Sequence, residues 1–217
     1  MSNNAVSRDV KTAVLVSGGG TNLQAILDAH IFGEIKNCEL AAVISSNSDA
    51  YALTRAAHAG IPSYVIDRKI FPNRASFSEA IHRKLEDLDI DLVVLAGFMY
   101  VLDPPLVRAF RNRMINVHPA LIPSFSGMGY YGLHVHEAAL NYGVKVSGAT
   151  AHFCTSEADA GPIILQKAVE ILETDTPQTL QRRIMEQAEW KILPEAISLF
   201  CEGRLEVVDR RVIIKDL

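Results

Sequence analysis

The densest chemistry in the sequence lies in Asn116-Val117-His118-Pro119. On an extended chain, residues i and i+2 point the same way, so Asn116 and His118 can face one cleft. An amide N–H beside an imidazole suits a reaction in which a carbonyl oxygen gains negative charge. Asp159-Ala160-Gly161-Pro162 offers a carboxylate, in a run that also reads as a plain turn. A carboxylate near His118 would favour the imidazolium and could help to move a proton. The three residue types together fit acyl-type transfer to a neutral amine, with no metal and no covalent nucleophile. Spacing alone does not bring them together. The other histidines (His30, His58, His82, His134, His136, His152) show no HExxH-type pattern.

A second candidate is Ser17-Gly18-Gly19-Gly20-Thr21-Asn22, placed between an apolar run and a helical pattern. Glycines let a backbone approach a ligand closely, and a helix start offers free N–H groups and a positive dipole end. A single phosphate fits this loop. A P-loop would need a Gly-Lys-Ser/Thr ending. A dinucleotide fingerprint would want glycine where Leu23 stands, and an acidic residue where the chain reads Ser45-Ser46-Asn47. A tight turn with no ligand is the plainer alternative.

The elements that must position these groups alternate. Lys11–Ser17, Glu39–Ser45, Pro62–Ile66, Asp91–Ala96 and Met114–Val117 read as strands. Asn22–Phe32, with Leu23, Ile26, Leu27 and Ile31 on one face, reads as a helix. So do Ala50–Ala59, stopped by Gly60, and the stretch from Arg74 through Phe77, Ile81, Leu85 and Leu88. The pattern predicts an α/β fold: an open, mostly parallel twisted sheet with helices on both faces. Ligands in such sheets bind at the carboxyl ends of the strands. Beyond residue 145, Val146–Thr155 and Pro162–Glu170 predict an antiparallel extension in the C-terminal third. Thr176-Pro177 starts a helix that runs to about Trp190, where Pro194 kinks or restarts it. Arg204–Ile214 predicts a hairpin about Asp209-Arg210, and Ser124–Gly132 a mobile loop.

Composition limits the partners. The 217 residues are 49% hydrophobic, enough for one substantial core, with a formal net charge of -4. One domain over 1–217, with a flexible N-terminus over 1–10, is the simplest reading. No long basic run suggests nucleic acid. No apolar stretch reaches the roughly 18 residues of a membrane span. Three widely spaced cysteines (Cys38, Cys154, Cys201) show no zinc or disulfide pattern, which predicts a reducing cytoplasm.

The segments VSGGGTNLQAIL, LAGFM, INVHPALIP, HFCTSEADAGPIILQ and LFCEGRL together resemble the phosphoribosylglycinamide formyltransferases, folate-dependent enzymes of purine biosynthesis. The resemblance runs from Ala13 to about Leu205. It implies a Rossmann-like formyltransferase fold and a transfer centre of Asn116, His118 and Asp159. It implies that Gly19, Gly20, Thr21 and Asn22 hold the acceptor's phosphate with Arg74, and that Glu189 binds its ribose. Without the resemblance Glu189 reads as a surface helix charge. It further implies that 10-formyltetrahydrofolate, the cosubstrate, meets Met99, Tyr100, Val101 and Leu102 on one side and Thr155, Ser156, Glu157 and Ala158 on the other. Tyr100 replaces an arginine of some relatives, Ala160 a frequent glycine, and the loop Gly127–Gly132 is longer than in many members.

The expected reaction passes a formyl group to glycinamide ribonucleotide, in a monomer or homodimer. The alternative is a formyltetrahydrofolate deformylase, whose relatives carry a regulatory domain where about ten residues precede the first strand here. A sugar-phosphate sensor and a nicotinamide-dependent oxidoreductase stand further back.

Overall fold

A computed structural model describes residues 8–216. Nine strands form one sheet in the order β3-β2-β1-β4-β5-β6-β7-β9-β8. The first five are β1 (Val10–Val16), β2 (Cys38–Ser45), β3 (Ser63–Val65), β4 (Leu92–Leu95) and β5 (Met114–His118). All neighbouring pairs among them are parallel. β6 (Val146–Phe153) and β7 (Ile163–Glu170) continue the sheet antiparallel, and a hairpin of β8 (Leu205–Val208) and β9 (Arg211–Ile214) closes it. The expected mixed sheet is therefore present, antiparallel extension included.

β1 shows why both faces are covered. Ala13 and Leu15 pack into one apolar cluster, Val14 and Val16 into another, and all four are at most 1% exposed. A strand covered on both faces loses the polar alternation of a surface strand. The first cluster holds α3 (Arg74–Asp87) and α4 (Pro104–Ala109) through Phe77, Ile81, Leu85 and Leu106. The second holds α1 (Thr21–Ile31), α2 (Tyr51–His58), α6 (Pro177–Ile184) and α7 (Trp190–Cys201). α5 (Leu133–Tyr142) packs against α6.

Three expectations need correction. Ile31, which periodicity places on the buried face of the first helix, is 69% exposed, because α1 ends there and the chain turns away. Pro194 does not restart its helix. It lies inside α7, and the irregularity precedes it as a π-helical turn, Met185–Glu189. Finally, the flexible N-terminus falls on 1–7 outside the described residues, whereas residues 8–10 are held. Arg8 pairs with Asp91 at 2.9 Å, and Val10 opens β1.

Candidate active site

Strand order reverses between β1 and β4, because β2 and β3 lie to one side of them and β5 to the other. That switch point opens a crevice at the carboxyl ends of the strands. The two chain segments leaving it are stitched together: the Met99 amide donates to Ser17 Oγ at 3.0 Å, and Ser46 Oγ donates to the same oxygen at 2.7 Å. The glycine loop and the 99–102 segment thus form two walls of one opening.

The loop is built to present N–H groups. Gly18 O accepts from the Ala52 amide at 3.1 Å, and Gly19 O accepts from Arg55 Nε at 2.9 Å. Both carbonyls are thereby tied back against α2. Gly20 caps α1 in the left-handed region at φ 71°, with no side-chain cap and no acidic residue in the first turn. Free N–H groups at an uncapped helix start favour an anion. Gly20 is obligatory, since a Cβ there would lie 2.7 Å from Ala52 Cβ. A Cβ on Gly19 would meet nothing within 4 Å, so the small size of Gly19 serves the space outside the loop.

β5 places Asn116 and His118 on one side, as their spacing predicts, and both line the same cavity. β6 stands antiparallel to it, with His152 directly opposite Asn116 and Thr150 opposite His118. Asn116 Nδ2 lies 3.3 Å from His152 Nε2. His152 Nδ1 donates to the Phe153 carbonyl at 3.0 Å, so the neutral ring accepts from Asn116 through Nε2. One Nδ2 hydrogen then remains for a ligand. A proton on His152 Nε2 would instead serve Asp159 Oδ1, 3.6 Å away.

Asp159 follows β6 in a turn, with φ 53°. Gly161 behind it is indispensable, because a Cβ would fall 1.6 Å from the Phe153 carbonyl oxygen. The turn delivers Asp159 Oδ2 to within 3.4 Å of His118 Nδ1. The loop after β5 closes the arrangement: Gly127 N–H donates to Asp159 Oδ2 at 3.0 Å, and His118 Nε2 donates to the Phe125 carbonyl at 2.8 Å. A carbonyl can only accept, so Nε2 carries a proton, and Nδ1 is the site that gains or loses one.

Burial pushes His118 below the ordinary imidazole range, while the Asp159 charge and the Phe125 carbonyl pull it back up. The expectation that Asp159 raises the His118 pKa is met as one influence, and burial outweighs it. For Asp159 itself, burial favours the neutral acid. A proton on His152 Nε2, the His118 charge and the Gly127 amide overcome that and hold the carboxyl below its usual value. Cys154 lines the cavity too, but burial and then Asp159 push its thiol far up, which leaves it protonated and inert.

The cavity measures about 480 Å³ and contains this centre. Met99, Tyr100, Val101, Leu102, Thr155, Ser156, Glu157 and Ala158 all line it. Met99, Tyr100 and Val101 are exposed apolar groups on its wall, a surface suited to a flat organic ligand. Thr21, Asn22 and Glu189 line the same cavity. Glu189 is 6% exposed, which overturns its reading as a surface charge. The π turn is the cause: it carries Ala188 and Glu189 inward together, and Met185 and Glu189 into the cavity. Burial pushes its carboxyl up to about 7, against a lowering influence from the Asn22 amide.

Arg74 is not brought to this cavity. Its Nε donates to Asp103 at 3.0 Å on the surface. The cavity reaches the glycine loop at Thr21 and Asn22, and Gly19 and Gly20 do not line it themselves. Sequence reasoning missed His152, His136, Gln181 and Met185, all of which line it, and Arg55 behind the loop. Strand period could have put His152 on a face of β6, but only the β5–β6 register sets it against Asn116. Among the described residues, no group of three or more His, Cys, Asp or Glu is placed to hold a metal ion, and no helix is long and apolar enough to cross a membrane.

An amide donor, a buried imidazole and an ionised carboxylate converge here between an anion-ready helix start and an apolar wall. That is the outfit of an α/β group-transfer enzyme working on a carbonyl. Residues 10–197 match the family described as formyl transferase, and the chain belongs to that family. It is 42% identical over 199 residues to the phosphoribosylglycinamide formyltransferase of Haemophilus influenzae, covering 92% of this chain and 91% of that one. It is equally 42% identical, over 200 residues, to the human trifunctional purine biosynthetic protein adenosine-3. The chain spans 19% of that longer protein's length. The glycinamide ribonucleotide transformylase 1 of Symbiobacterium toebii has the same fold, with a TM-score of 0.89 at 47% identity over 96% of this chain and 95% of that one.

Proposed function

We propose that this chain transfers the formyl group of 10-formyltetrahydrofolate to the amine of glycinamide ribonucleotide, giving formylglycinamide ribonucleotide and tetrahydrofolate in purine biosynthesis. One observation carries the reading: a single cavity joins the Asn116, His118 and Asp159 centre to a phosphate-ready loop with a buried carboxyl on one side and an exposed apolar wall on the other. Kinship with the phosphoribosylglycinamide formyltransferases supports it.

The acceptor's phosphate rests on the N–H groups at Gly19–Asn22, and Glu189 takes hydroxyls of its ribose. The folate lies along Met99–Leu102 and Thr155–Ala158. The neutral amine attacks the formyl carbon, and a C–N bond forms as the carbonyl oxygen becomes an oxyanion. The free Asn116 N–H stabilises that oxygen, and His118 adds a positive charge beside it when Nδ1 is protonated. The bond to the folate nitrogen then breaks. The attacking nitrogen loses a proton and the leaving nitrogen gains one, with Asp159 as the shuttle. Arg74 joins the phosphate only by exchanging Asp103 for it.

We further read the described chain as one domain acting as a monomer or homodimer on small molecules, without nucleic acid. Its three free cysteines suit the cytoplasm. The test is to mix the protein with 10-formyltetrahydrofolate and follow deformylated folate with and without glycinamide ribonucleotide. Release that needs the acceptor supports the transferase. Equal release without it makes the chain a deformylase, and no release in either case leaves a binding protein.

A further inference from the structure

Asn22 belongs by sequence to the glycine loop, yet its side chain turns away from the glycines. Nδ2 donates to Glu189 Oε2 at 2.7 Å, joining two residues 167 positions apart. Both are more than nine-tenths buried, and both line the cavity. Asn22 Oδ1 is buried and has no partner among the described residues. An orphaned amide oxygen costs free energy, so something must fix the side chain in this rotamer. The bond to Glu189 is what does so. The Glu189 carboxyl in turn receives no other side-chain donor among the described residues, which leaves Oε1 open to a ligand.

We propose that Asn22 is the positioning residue of the acceptor end of the cavity: it holds one oxygen of Glu189 so that the other meets the hydroxyls of a sugar phosphate. The ligand class follows from the chemistry. An acceptor-only carboxylate wants hydroxyl donors, and its partner Asn22 belongs to the first turn of an anion-ready helix. A ribose 5-phosphate moiety offers both hydroxyls and an anion. Asn22 then separates two tasks that share one loop in the sequence, with Gly19 and Gly20 serving the phosphate and Asn22 the sugar. The inference deepens the acceptor half of the reading above and rests on it for the identity of the full acceptor.

Burial and the Asn22 amide are the two influences on the Glu189 carboxyl. No charged side chain of α6, α7, β6 or β7, the elements packed against the π turn, adds a third. The amide favours the ionised form, so its loss moves Glu189 to titrate at higher pH. That shift reports the Asn22–Glu189 bond, while the ribose preference and the split between the two KM values report positioning of the ligand, which a merely structural Asn22 would leave in place.

The experiment measures binding of ribose 5-phosphate and of 2-deoxyribose 5-phosphate by calorimetry, in wild type and in Asn22→Leu, a near-isosteric change without donor or acceptor. Wild type is expected to prefer the ribose compound about tenfold, the scale of one hydrogen bond to a charged group. Asn22→Leu is expected to lose most of that preference, to raise KM for glycinamide ribonucleotide about tenfold with little change in KM for the folate, and to shift the acceptor's acid limb to higher pH. Asn22→Ser, which removes the reach of the amide but suits a helix start, covers the case in which the leucine variant does not fold. The proposal is overturned if wild type binds the two sugars equally, if both variants keep the ribose preference, or if both substrates weaken together. Formyl transfer that ignores the acceptor would sink the transferase reading, while the two-sugar comparison would still decide the role of Asn22.

Discussion

Asn116 and His152 face one another across the seam where parallel β5 meets antiparallel β6, with amide and ring 3.3 Å apart. His152 Nε2 also stands 3.6 Å from Asp159 Oδ1, and when it carries a proton it is the strongest influence holding that carboxyl ionised against its burial. Removing it acts on two partners at once. His152→Ala should let Asn116 and Asp159 drift and lower turnover by up to about 100-fold, on the scale of misplacing a reacting group. It should also raise the Asp159 pKa, so the acid limb of kcat/KM moves to higher pH. Paired pH–rate profiles check this, and an unmoved limb would remove His152 from the centre.

His118 and Asp159 make a prediction of definite sign. Asp159 pulls the His118 pKa up from the low value that burial imposes. Asp159→Asn should therefore lower it further, and turnover at neutral pH should fall. An NMR titration of His118 in both proteins is the measurement. A pKa that stays or rises would refute the coupling. His118→Ala should cost about 100-fold or more in turnover. Asn116→Ala should cost about 100- to 1,000-fold if its spare N–H meets the oxyanion.

The adjacent glycines should separate fold from ligand. Gly20→Ala forces a left-handed residue to carry a Cβ against Ala52, so it should destabilise by roughly 1–3 kcal/mol. Gly19→Val puts its Cβ where no protein atom lies within 4 Å, so the fold should be kept while the acceptor weakens and the folate does not. Urea unfolding with two binding titrations tests both. Equal loss of both ligands in a folded Gly19→Val protein would end the phosphate assignment.

These residues also mark how far the sequence can be read. Apolar runs mark β1, β4 and β5, because a strand buried on both faces is nearly all apolar. The i, i+2 rule pairs Asn116 with His118. It cannot supply His152, whose place depends on a strand register between positions 36 apart in the chain. Helix periodicity fails at Glu189 for a definite reason. Leu180, Ile184 and Ala188 keep an α-helical face inward, which leaves 189 beside it, and the wide turn brings Ala188 and Glu189 in together. No residue pattern announces a π turn. α5 is not legible because Val135, His136 and Ala139 are its buried residues, too few and too polar for a clear apolar stripe. α4, with six residues, is shorter than a periodic pattern can register.

Glu189 should show opposite effects on stability and on binding. Burial raises its carboxyl from an ordinary 4.5 to about 7. Between those values the unfolded chain has given up a proton that the folded chain retains, so stability falls as pH rises from about 4.5 to 7 and stays lower above. The loss is on the order of 3 kcal/mol for a shift of that size. Glu189→Gln carries no charge to bury, and its side-chain carbonyl can still accept from Asn22. The variant should therefore be more stable than wild type at pH 8, with the difference gone by about pH 4.5. Its acceptor affinity should move the other way. A carboxylate accepts stronger hydrogen bonds from hydroxyls than an amide does, so Glu189→Gln should bind glycinamide ribonucleotide about tenfold more weakly at pH 8. Folate affinity should stay near wild type. Below pH 7 the wild-type carboxyl takes up a proton, and its acceptor affinity should fall towards that of the variant, whose own profile follows only the titration of the ligand. Urea unfolding and calorimetry at pH 8 and pH 6 separate the two effects. Equal stability at pH 8 would mean that water reaches the carboxyl and the π turn does not bury a charge. An unchanged acceptor constant would mean that the ribose binds elsewhere.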